Sequence, residues 1–416
     1  MGPRRRGHHD GLTPFSLPLT RGRVGEGVPS RQNPEPPMPP FAIATPQRIL
    51  FGRGEAAKAP ALIAAFGPRG LIVHGANAAR AAWLIDALHA AGIDTLSLPC
   101  PAEPTLPMLE QALATARPFA PDWVTALGGG AALDLGKALA ALIPAPTHPL
   151  DHLEVVGKGL PLAAPPVPFI ALPTTSGTGA EATKNAVIGL PDHGRKVSLR
   201  DDRMLARLAL VDPALTDHTP RATTLASGLD AITQVIEPFV SSKATPFTDA
   251  ITAPAIPQGL IALKRLMEAE DPAARDALAY TSLTGGLALA NAGLGAVHGL
   301  AGVIGGLTPA PHGAICGALL APILRLNRDH ATGETARRLD QVFHHIAATL
   351  GGRPDQAPDT LALWARAAGL PGLAAQGLPA ALHAETAKAA LTSSSMKGNP
   401  VPLSEADLIA ALEAAA

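Results

Sequence analysis

Short apolar runs alternate with amphipathic stretches through the first half of this chain. Four runs have the length and composition of buried strands, and sequences with helical periodicity separate the first three of them. Strands that alternate with helices are typical of βαβ units, in which the strands run parallel. The pattern therefore predicts an α/β domain whose parallel strands include Leu71–His74, Thr95–Leu98, Trp123–Leu127 and Phe169–Leu172.

From Ala222 onward the apolar positions recur with helical spacing. Pro254 and Pro257 lie within DAITAPAIPQGL, and because proline lacks a backbone donor we expect a break or kink there. We therefore predict that an α/β domain over residues 41–221 is followed by an all-helical domain over residues 222–416. The amphipathic stretches that indicate helices are Gln258–Glu268, Ala273–Leu289, Glu334–Leu350, Leu361–Ala368 and Ser404–Ala415.

Residues 1–40 differ in composition from the rest of the chain. They are basic and rich in proline and glycine, and they lack the apolar segment of a secretory signal. We predict a disordered N-terminal extension. Met38 lies near its end, which raises the hypothesis that the natural protein starts at this methionine.

Composition excludes several classes of function. The 416 residues are 47% hydrophobic and 16% charged, enough for two domains with large cores, and the net charge of -1 argues against a nucleic-acid partner. Cys100 and Cys316 are far apart and show no metal-type Cys spacing, which favours a reduced, cytoplasmic location. The uncharged segment Ala277–Leu324 is interrupted by glycines, Asn291 and prolines, so we expect no membrane span.

The same uncharged segment contains His298 and His312. A buried imidazole needs partners for its ring nitrogens, and a metal ion is one such partner. Asp230 precedes them in SGLDAITQVIEPF, and Gln234, four residues later, would share its helix face. Two histidines and one carboxylate suit Fe(II) or Zn(II). The alternative is a pair of core histidines whose nitrogens are satisfied by hydrogen bonds.

A triple glycine, Gly128 to Gly130, follows the predicted strand Trp123–Leu127 and precedes a predicted helix. Glycines allow the backbone to approach a pyrophosphate closely, and a helix N-terminus offers free N–H donors. The alternative is a tight turn with no ligand.

Four segments of the sequence carry a resemblance to a known family: PTTSGTGAE, SGLDAITQ, GLGAVHGLAG and PAPHGA. They resemble the iron-containing (group III, metal-dependent) alcohol dehydrogenases over most of residues 41–416. The resemblance implies a fold of the dehydroquinate-synthase-like type, in which a dinucleotide-binding α/β domain precedes an all-α metal-binding domain.

The resemblance also implies one divalent metal, Fe2+ or Zn2+. Asp230, His298 and His312 match family ligands and would be the catalytic residues. Gln234 stands where the family usually has a histidine. We therefore list Asp230, Gln234, His298 and His312 as metal ligands, and Gln234 is either a weaker ligand or a hydrogen-bonding partner of the bound water.

For the cofactor, NAD or NADP, the family's GGGS segment corresponds to Gly128 through Ala131, followed by Asp134 and Lys137. NAD-preferring relatives carry an aspartate where this chain has Gly75, so NADP(H) is not excluded and Arg80 could contact its phosphate. The residues expected at the cofactor are Gly75, Gly128, Gly129, Gly130, Asp134, Thr174, Thr175, Asn185 and Lys196.

The implied reaction is reversible hydride transfer between an alcohol, or its aldehyde or ketone, and NAD(P). Glycerol-dehydrogenase-like and maleylacetate-reductase-like oxidoreductases of the same fold remain alternatives. A catalytically silent nucleotide-binding paralogue and a purely structural protein are further alternatives. Relatives are commonly dimers or larger, so we expect a homo-oligomer with a small-molecule substrate.

Overall fold

Among the residues that the structure describes, eight strands lie in the first half of the chain. The computed structural model describes Gly2 and residues 40–416. Met38 and the predicted disordered extension therefore lie outside the described residues, apart from Gly2 and Pro40. The strands are β1 Ile49–Phe51, β2 Arg69–Gly75, β3 Asp94–Cys100, β4 Trp123–Gly128, β5 Phe169–Pro173, β6 Asn185–Leu190, β7 Arg195–Arg200 and β8 Leu208–Val211.

Six of these strands form one parallel sheet in the order β1-β8-β5-β4-β2-β3. Each of the four predicted strands lies within β2, β3, β4 or β5. Successive residues of β2 point to opposite faces, so that Leu71 and Val73 enter one apolar cluster and Ile72 enters another. Burial on both faces explains why β2, β4 and β5 are largely continuous apolar runs, whereas β3 at the edge of the sheet is partly exposed.

Strands β6 and β7 form a separate antiparallel hairpin, which we did not predict. Its turn ends at Gly194, whose φ of 56° is in the left-handed region that favours glycine. Buried and half-buried residues alternate along β6. This alternation, on either side of the turn sequence PDHG, is the signal that predicts a hairpin.

Helices cover the sheet and make up most of the second half. Those of the first half are α1 Ala59–Ala64, α2 Ala82–Ala90, α3 Leu106–Phe119, α4 Gly130–Leu142 and α5 Pro149–His152. Those of the second half are α6 Arg221–Val240, α7 Pro246–Glu268, α8 Pro272–Ala292, α9 Ala296–Leu307, α10 His312–His330, α11 Gly333–Leu350, α12 Ala357–Ala367, α13 His383–Ala390 and α14 Glu405–Ala414.

The predicted break at Pro254 and Pro257 is wrong, because α7 runs through both prolines without interruption. Each proline removes one backbone hydrogen bond. The helix nevertheless packs against α6 and α8 and buries Ala255, Ile256 and Leu260. Packing of this face offsets the two missing bonds, as tertiary contacts commonly decide helix stability.

The apolar core of the second half is a single cluster contributed by helices from α6 to α14. The last strand of the sheet ends at Val211 and α6 begins at Arg221, whereas backbone contacts join Ala42–Ala416 into one compact unit. The α/β and all-helical parts are observed in the predicted order, and their exact boundary at residues 221 and 222 stays a prediction.

Among the described residues no single helix has the length and apolar composition needed to cross a membrane. Helices α8 and α9 satisfy that criterion only as a pair, and a bend of 100° separates them.

Candidate active site

Helix α6 presents three polar side chains to the interior of the helical core. Asp230, Gln234 and Glu237 are separated by four and three residues, which places them on one face. All three are buried. Buried carboxylates are unstable without partners, so their contacts define what this face is built to hold.

The beginning of α9 supplies one partner for this face. Gly295 precedes the helix and has no side chain with which to cap it. Two first-turn amides are instead satisfied from elsewhere in the chain: Ala296 N–H donates to Asn399 Oδ1 at 3.0 Å, and Val297 N–H donates to Glu237 Oε1 at 2.8 Å. These bonds fix the first turn of α9, which carries His298.

Glu237 also orients the His298 ring. Its Oε2 lies 2.6 Å from His298 Nδ1, so that nitrogen carries the proton of the neutral ring and donates it to the carboxylate. The lone pair is then on Nε2, which lies 3.3 Å from Asp230 Oδ1. A carboxylate behind a histidine is the usual arrangement at protein metal sites.

Helix α10 contributes the other side of the cluster. His312 is its first residue, and Cys316 lies one turn later on the same face. The Cys316 sulfur is 3.6 Å from His312 Nε2, and the two histidine rings lie 5.4 Å apart between centroids. Loop and helix packing thus bring together three segments that are distant in the sequence.

Asp230, His298, His312 and Cys316 form the cluster, and we refer to these four residues as the metal cluster. One ligand atom from each lies within 4.8 Å of all the others. Asp230 Oδ1 is buried and has no hydrogen-bond partner among the described residues. An orphaned carboxylate oxygen facing two imidazoles and a thiol fits a divalent cation of the zinc or iron type.

The pKa values of the cluster also indicate that it attracts positive charge. Burial by itself would lower the pKa of His312, but the nearby Cys316 and Asp230 raise it to about 9. Burial opposes the charged form of Asp230 as well, and the two histidines outweigh it and hold the pKa of Asp230 below its usual value. A bound cation would compete with these protons.

Gln234 connects the metal cluster to the loop that precedes β6. Its side-chain amide nitrogen donates to the Gly177 carbonyl at 2.7 Å. The loop also packs tightly on α8, where Gly179 has a φ of 57° and a Cβ at this position would lie 2.5 Å from the Ser282 carbonyl oxygen. The PTTSGTGAE loop is therefore held between α6 and α8, beside Asp230.

A cavity of about 150 Å3 lies at the carboxyl ends of β2 and β4. Strands β2 and β4 are neighbours in the sheet, and the chain leaves them in opposite directions. β2 is followed by β3 on one side of the pair, and β4 is followed by β5 on the other side. Ligands of open α/β sheets bind at such switch points. The lining includes the predicted residues Gly75, Gly128, Gly129 and Thr174, together with Arg80, His74, Ala76, Asn77 and Leu127.

The remaining glycine-turn residues lie next to this cavity. Gly130 is the first residue of α4, and a Cβ at Gly129 would contact Thr175 Oγ1 at 3.3 Å. Thr174 N–H donates to the Gly128 carbonyl at 2.9 Å. A Cβ at Gly128 would lie 2.6 Å from that of Ala132, so only glycine permits this approach of strand to helix.

The side chains of Asp134 and Lys137 form hydrogen bonds within the protein. Asp134 Oδ2 accepts the Val187 N–H at 3.1 Å, and burial raises the pKa of Asp134 to about 6. Lys137 donates to the Ala180 and Asn185 carbonyls and to Thr183 Oγ1. All three protons of Lys137 are used within the protein, which leaves none for a phosphate in this structure.

Lys196, Asn185 and Arg80 also lie at or beside the expected cofactor site. Lys196 forms an ion pair with Glu103, and Asn185 Oδ1 is buried without a partner among the described residues. Arg80 donates to the Leu215 carbonyl at 3.0 Å while lining the cavity. The cavity and the metal cluster thus account for most, but not all, of the residues predicted from the sequence.

The chain belongs to the iron-containing alcohol dehydrogenase family. The family model described as iron-containing alcohol dehydrogenase matches residues 46–213, and the model of the family's C-terminal part matches residues 224–416. The class predicted from the sequence, that of the metal-dependent NAD(P) alcohol dehydrogenases, is therefore confirmed. The family implies a nicotinamide cofactor and a divalent metal, in agreement with the donor types of the metal cluster.

Three relatives illustrate the similarity. The probable alcohol dehydrogenase EutG of Escherichia coli (strain K12) is 35% identical over 61% of this chain, and the match spans 63% of that relative, less than two thirds of its length. Long-chain-alcohol dehydrogenase 1 of Geobacillus thermodenitrificans (strain NG80-2) is 34% identical over 75% of this chain and 80% of its own. A crystal structure of 1,3-propanediol oxidoreductase, 25% identical, superposes with a TM-score of 0.82 over 91% of this chain and 100% of its own.

Glu237 and Cys316 were not among the site residues predicted from the sequence. Glu237 is seven residues after Asp230, which is a signal for a shared helix face. Cys316 is four residues after His312, and this spacing was overlooked because metal-type spacing was sought between cysteines only.

We expect Glu237→Gln to weaken zinc or iron binding by about 10- to 100-fold, the usual effect of losing a carboxylate behind a metal-binding histidine. The measurement is metal affinity by competition with a chromogenic chelator. Glu334→Gln is the matched control, because Glu334 lies on α11 and pairs with Arg337 at the surface. Equal affinity in both variants would contradict the orienting role of Glu237.

Proposed function

We propose that this chain oxidises small alcohols and reduces the corresponding aldehydes or ketones, with NAD(P) as hydride carrier and one divalent metal, Fe2+ or Zn2+. The observation that carries the proposal is the buried metal cluster with its orphaned Asp230 oxygen. When bound, the metal would polarise the substrate oxygen as a Lewis acid, and the nicotinamide would carry the hydride.

The side chains of the cluster have distinct proposed roles. Asp230, His298 and His312 hold the ion, and Glu237 keeps His298 Nε2 unprotonated and directed at it. Asp230 and His298 are buried among the apolar helices, which strengthens the electrostatic interactions between them, whereas His312 is only half-buried. Nothing among these residues is free to act as a separate acid or base, so protons would exchange through solvent.

The cofactor is proposed to bind in the cavity at β2 and β4. The glycine turn Gly128 to Gly130 and the start of α4 would contact its phosphates through backbone N–H groups. Thr174 lines the cavity, and Gly177, three residues later, bonds to Gln234 beside Asp230. Three residues span at most about 11 Å, so the nicotinamide end would approach the metal cluster.

Asp134, Thr175, Asn185 and Lys196 are retained as proposed contacts of the cofactor or of its loop. A homo-oligomeric assembly and a cytoplasmic location stay predictions from the sequence. No particular alcohol is proposed, since the names of the relatives range from long-chain-alcohol dehydrogenase to 1,3-propanediol oxidoreductase.

We propose NADP(H) as the accepted cofactor, because the cavity contains Arg80 and no carboxylate among its lining residues. A Cβ at Gly75 would meet no atom within 4 Å, so a side chain fits there. We expect Gly75→Asp to lower the ratio of NADPH to NADH affinity by about 10- to 100-fold, since a carboxylate near a 2'-phosphate is repulsive.

Gly75→Asn is the matched control because it adds the same volume without charge. Fluorescence titration of both reduced cofactors with the native protein and both variants gives the ratios. A ratio that changes equally in the two variants would show that size rather than charge acts at this position, and would contradict the proposal for NADP(H).

The proposed activity is tested by loading the protein with iron or zinc under anaerobic conditions and screening primary, secondary and vicinal alcohols with each nicotinamide. Turnover that requires the metal, and is removed by a chelator and restored by re-addition, is the expected result. Saturable cofactor binding with no turnover of any alcohol or aldehyde would instead favour a catalytically silent paralogue.

A further inference from the structure

Cys316 occupies a position within the metal cluster that the family resemblance did not assign. Its side chain is completely buried on α10, and its ligand atom lies within 4.8 Å of those of Asp230, His298 and His312. A buried cysteine is more often a packing residue than a ligand. The three metal-binding groups around it decide against that reading here.

We propose that Cys316 is the fourth protein ligand of the metal and that the resulting Asp/His/His/Cys set selects zinc over iron. The proposal rests on the proposed metal-dependent function and adds to it the identity of the ligand and of the ion. Thiolate sulfur is a soft ligand that favours zinc among the metals expected here.

The distances agree with tetrahedral coordination. Bonds of about 2.0–2.3 Å to zinc place the ligand atoms roughly 3.3–3.8 Å from one another. Asp230 Oδ1 is 3.3 Å from His298 Nε2, and the Cys316 sulfur is 3.6 Å from His312 Nε2. The wider pairs, at up to 4.8 Å, would contract slightly around the ion.

Gln234 is a weaker candidate for the fourth position. Its amide nitrogen is bound to the Gly177 carbonyl, so the side chain is committed to positioning the PTTSGTGAE loop. The sequence has a glutamine where the family usually has a histidine ligand, and it has a thiol within the same cluster. Cys316 therefore compensates for the ligand that Gln234 does not supply.

Coordination by Cys316 is balanced by the loss of one proton. The thiol releases its proton to solvent as the sulfur–metal bond forms, so the site gains one negative charge for the incoming dication. Four-coordinate zinc can accept a fifth ligand during catalysis. A substrate oxygen could therefore still bind to an ion that four protein ligands hold.

The test replaces the native ion with Co(II), whose thiolate complexes show intense charge-transfer absorption in the near ultraviolet. We expect this band in the wild-type protein and in Cys100→Ser, and we expect its loss in Cys316→Ser and Cys316→Ala. Cys100 is the matched control because it is also buried, at the end of β3, where its thiol donates to the Ala102 carbonyl at 3.1 Å.

Competition with a chelator should show that Cys316→Ser reduces zinc affinity by about 100-fold or more. Loss of a residue that only orients a ligand typically reduces metal affinity by about 10- to 100-fold. The preference for zinc over Fe(II) should fall at the same time. The Co(II) spectrum of the wild-type protein does not depend on the folding of any variant, so it tests directly whether a thiolate binds the metal.

Stoichiometric cobalt binding without a thiolate band in the wild-type protein would overturn the role of Cys316 and leave the three-ligand site intact. An unchanged zinc affinity in a folded Cys316→Ser variant would also overturn it. Failure of the wild-type protein to bind cobalt or zinc at all would overturn both this inference and the proposed metal-dependent function.

Discussion

Asp230→Ala is expected to remove the metal and to lower turnover by about 1,000-fold or more, because a Lewis acid contributes several kcal/mol to the transition state. Asp230 is the only carboxylate of the metal cluster, and its Oδ1 has no other partner among the described residues. Its loss removes the carboxylate ligand and the negative charge that it contributes to holding a dication beside the two imidazoles and the sulfur of Cys316. Elemental analysis and turnover with the preferred alcohol measure the two effects.

Asp359→Ala is the matched control for this experiment. Asp359 lies on α12, is largely exposed and pairs with Arg325 at the surface. We expect it to keep about one metal ion per chain and native turnover, as substitutions at exposed ion pairs usually have small effects. Full metal content with turnover within tenfold of native in Asp230→Ala would contradict the assignment of Asp230.

Four of the six strands in the parallel sheet could be predicted, because local composition decides them. Trp123–Leu127 and Phe169–Leu172 are buried on both faces, so their apolar runs are unbroken. The β6–β7 hairpin also carried a local signal, an alternation of buried residues around PDHG, but its strands are buried on one face only and lack a continuous apolar run. The break expected in α7 was wrong because packing against α6 and α8, which local sequence does not record, outweighs two prolines.

The candidate site could be predicted only in part, for a related reason. Asp230 and Gln234 are neighbours on one helix, so their shared face follows from spacing. The meeting of α6, α9 and α10 depends on tertiary packing. The sequence could connect His298 and His312 with Asp230 only as compatible ligand types and through resemblance to a family. Cys316 and Glu237 have no role in that resemblance, so the structure was needed to bring them to the same histidines.

Lys137 lies in the segment that the family resemblance assigns to the cofactor, but its hydrogen bonds are made within the protein. The lysine follows the glycine turn, as the family pattern requires, yet it is buried and directed at the loop before β6. Its pKa is lowered to about 8 by burial, and the pKa of the neighbouring Glu181 is raised to about 7 for the same reason. It is a structural cation rather than a phosphate ligand.

Lys137→Met is therefore expected to destabilise the fold by about 3–5 kcal/mol, the usual result of removing one partner from a buried ionic group. Two carbonyls and the Thr183 hydroxyl lose their donor, and Glu181 loses the nearest positive charge. Because the pKa of Glu181 is raised, its favourable contribution is present at low pH and is lost as pH rises through about 7. Without Lys137 the ionised carboxylate loses this positive charge, so the destabilisation should be larger between about pH 7 and pH 8 than below about pH 6, and it should shrink above about pH 8 as Lys137 itself loses its proton. Urea unfolding at these pH values measures it, and Lys158→Met, at an exposed pair with Asp151, should change the midpoint little. A native midpoint for Lys137→Met, with weakened cofactor binding, would restore the phosphate role that its hydrogen bonds argue against.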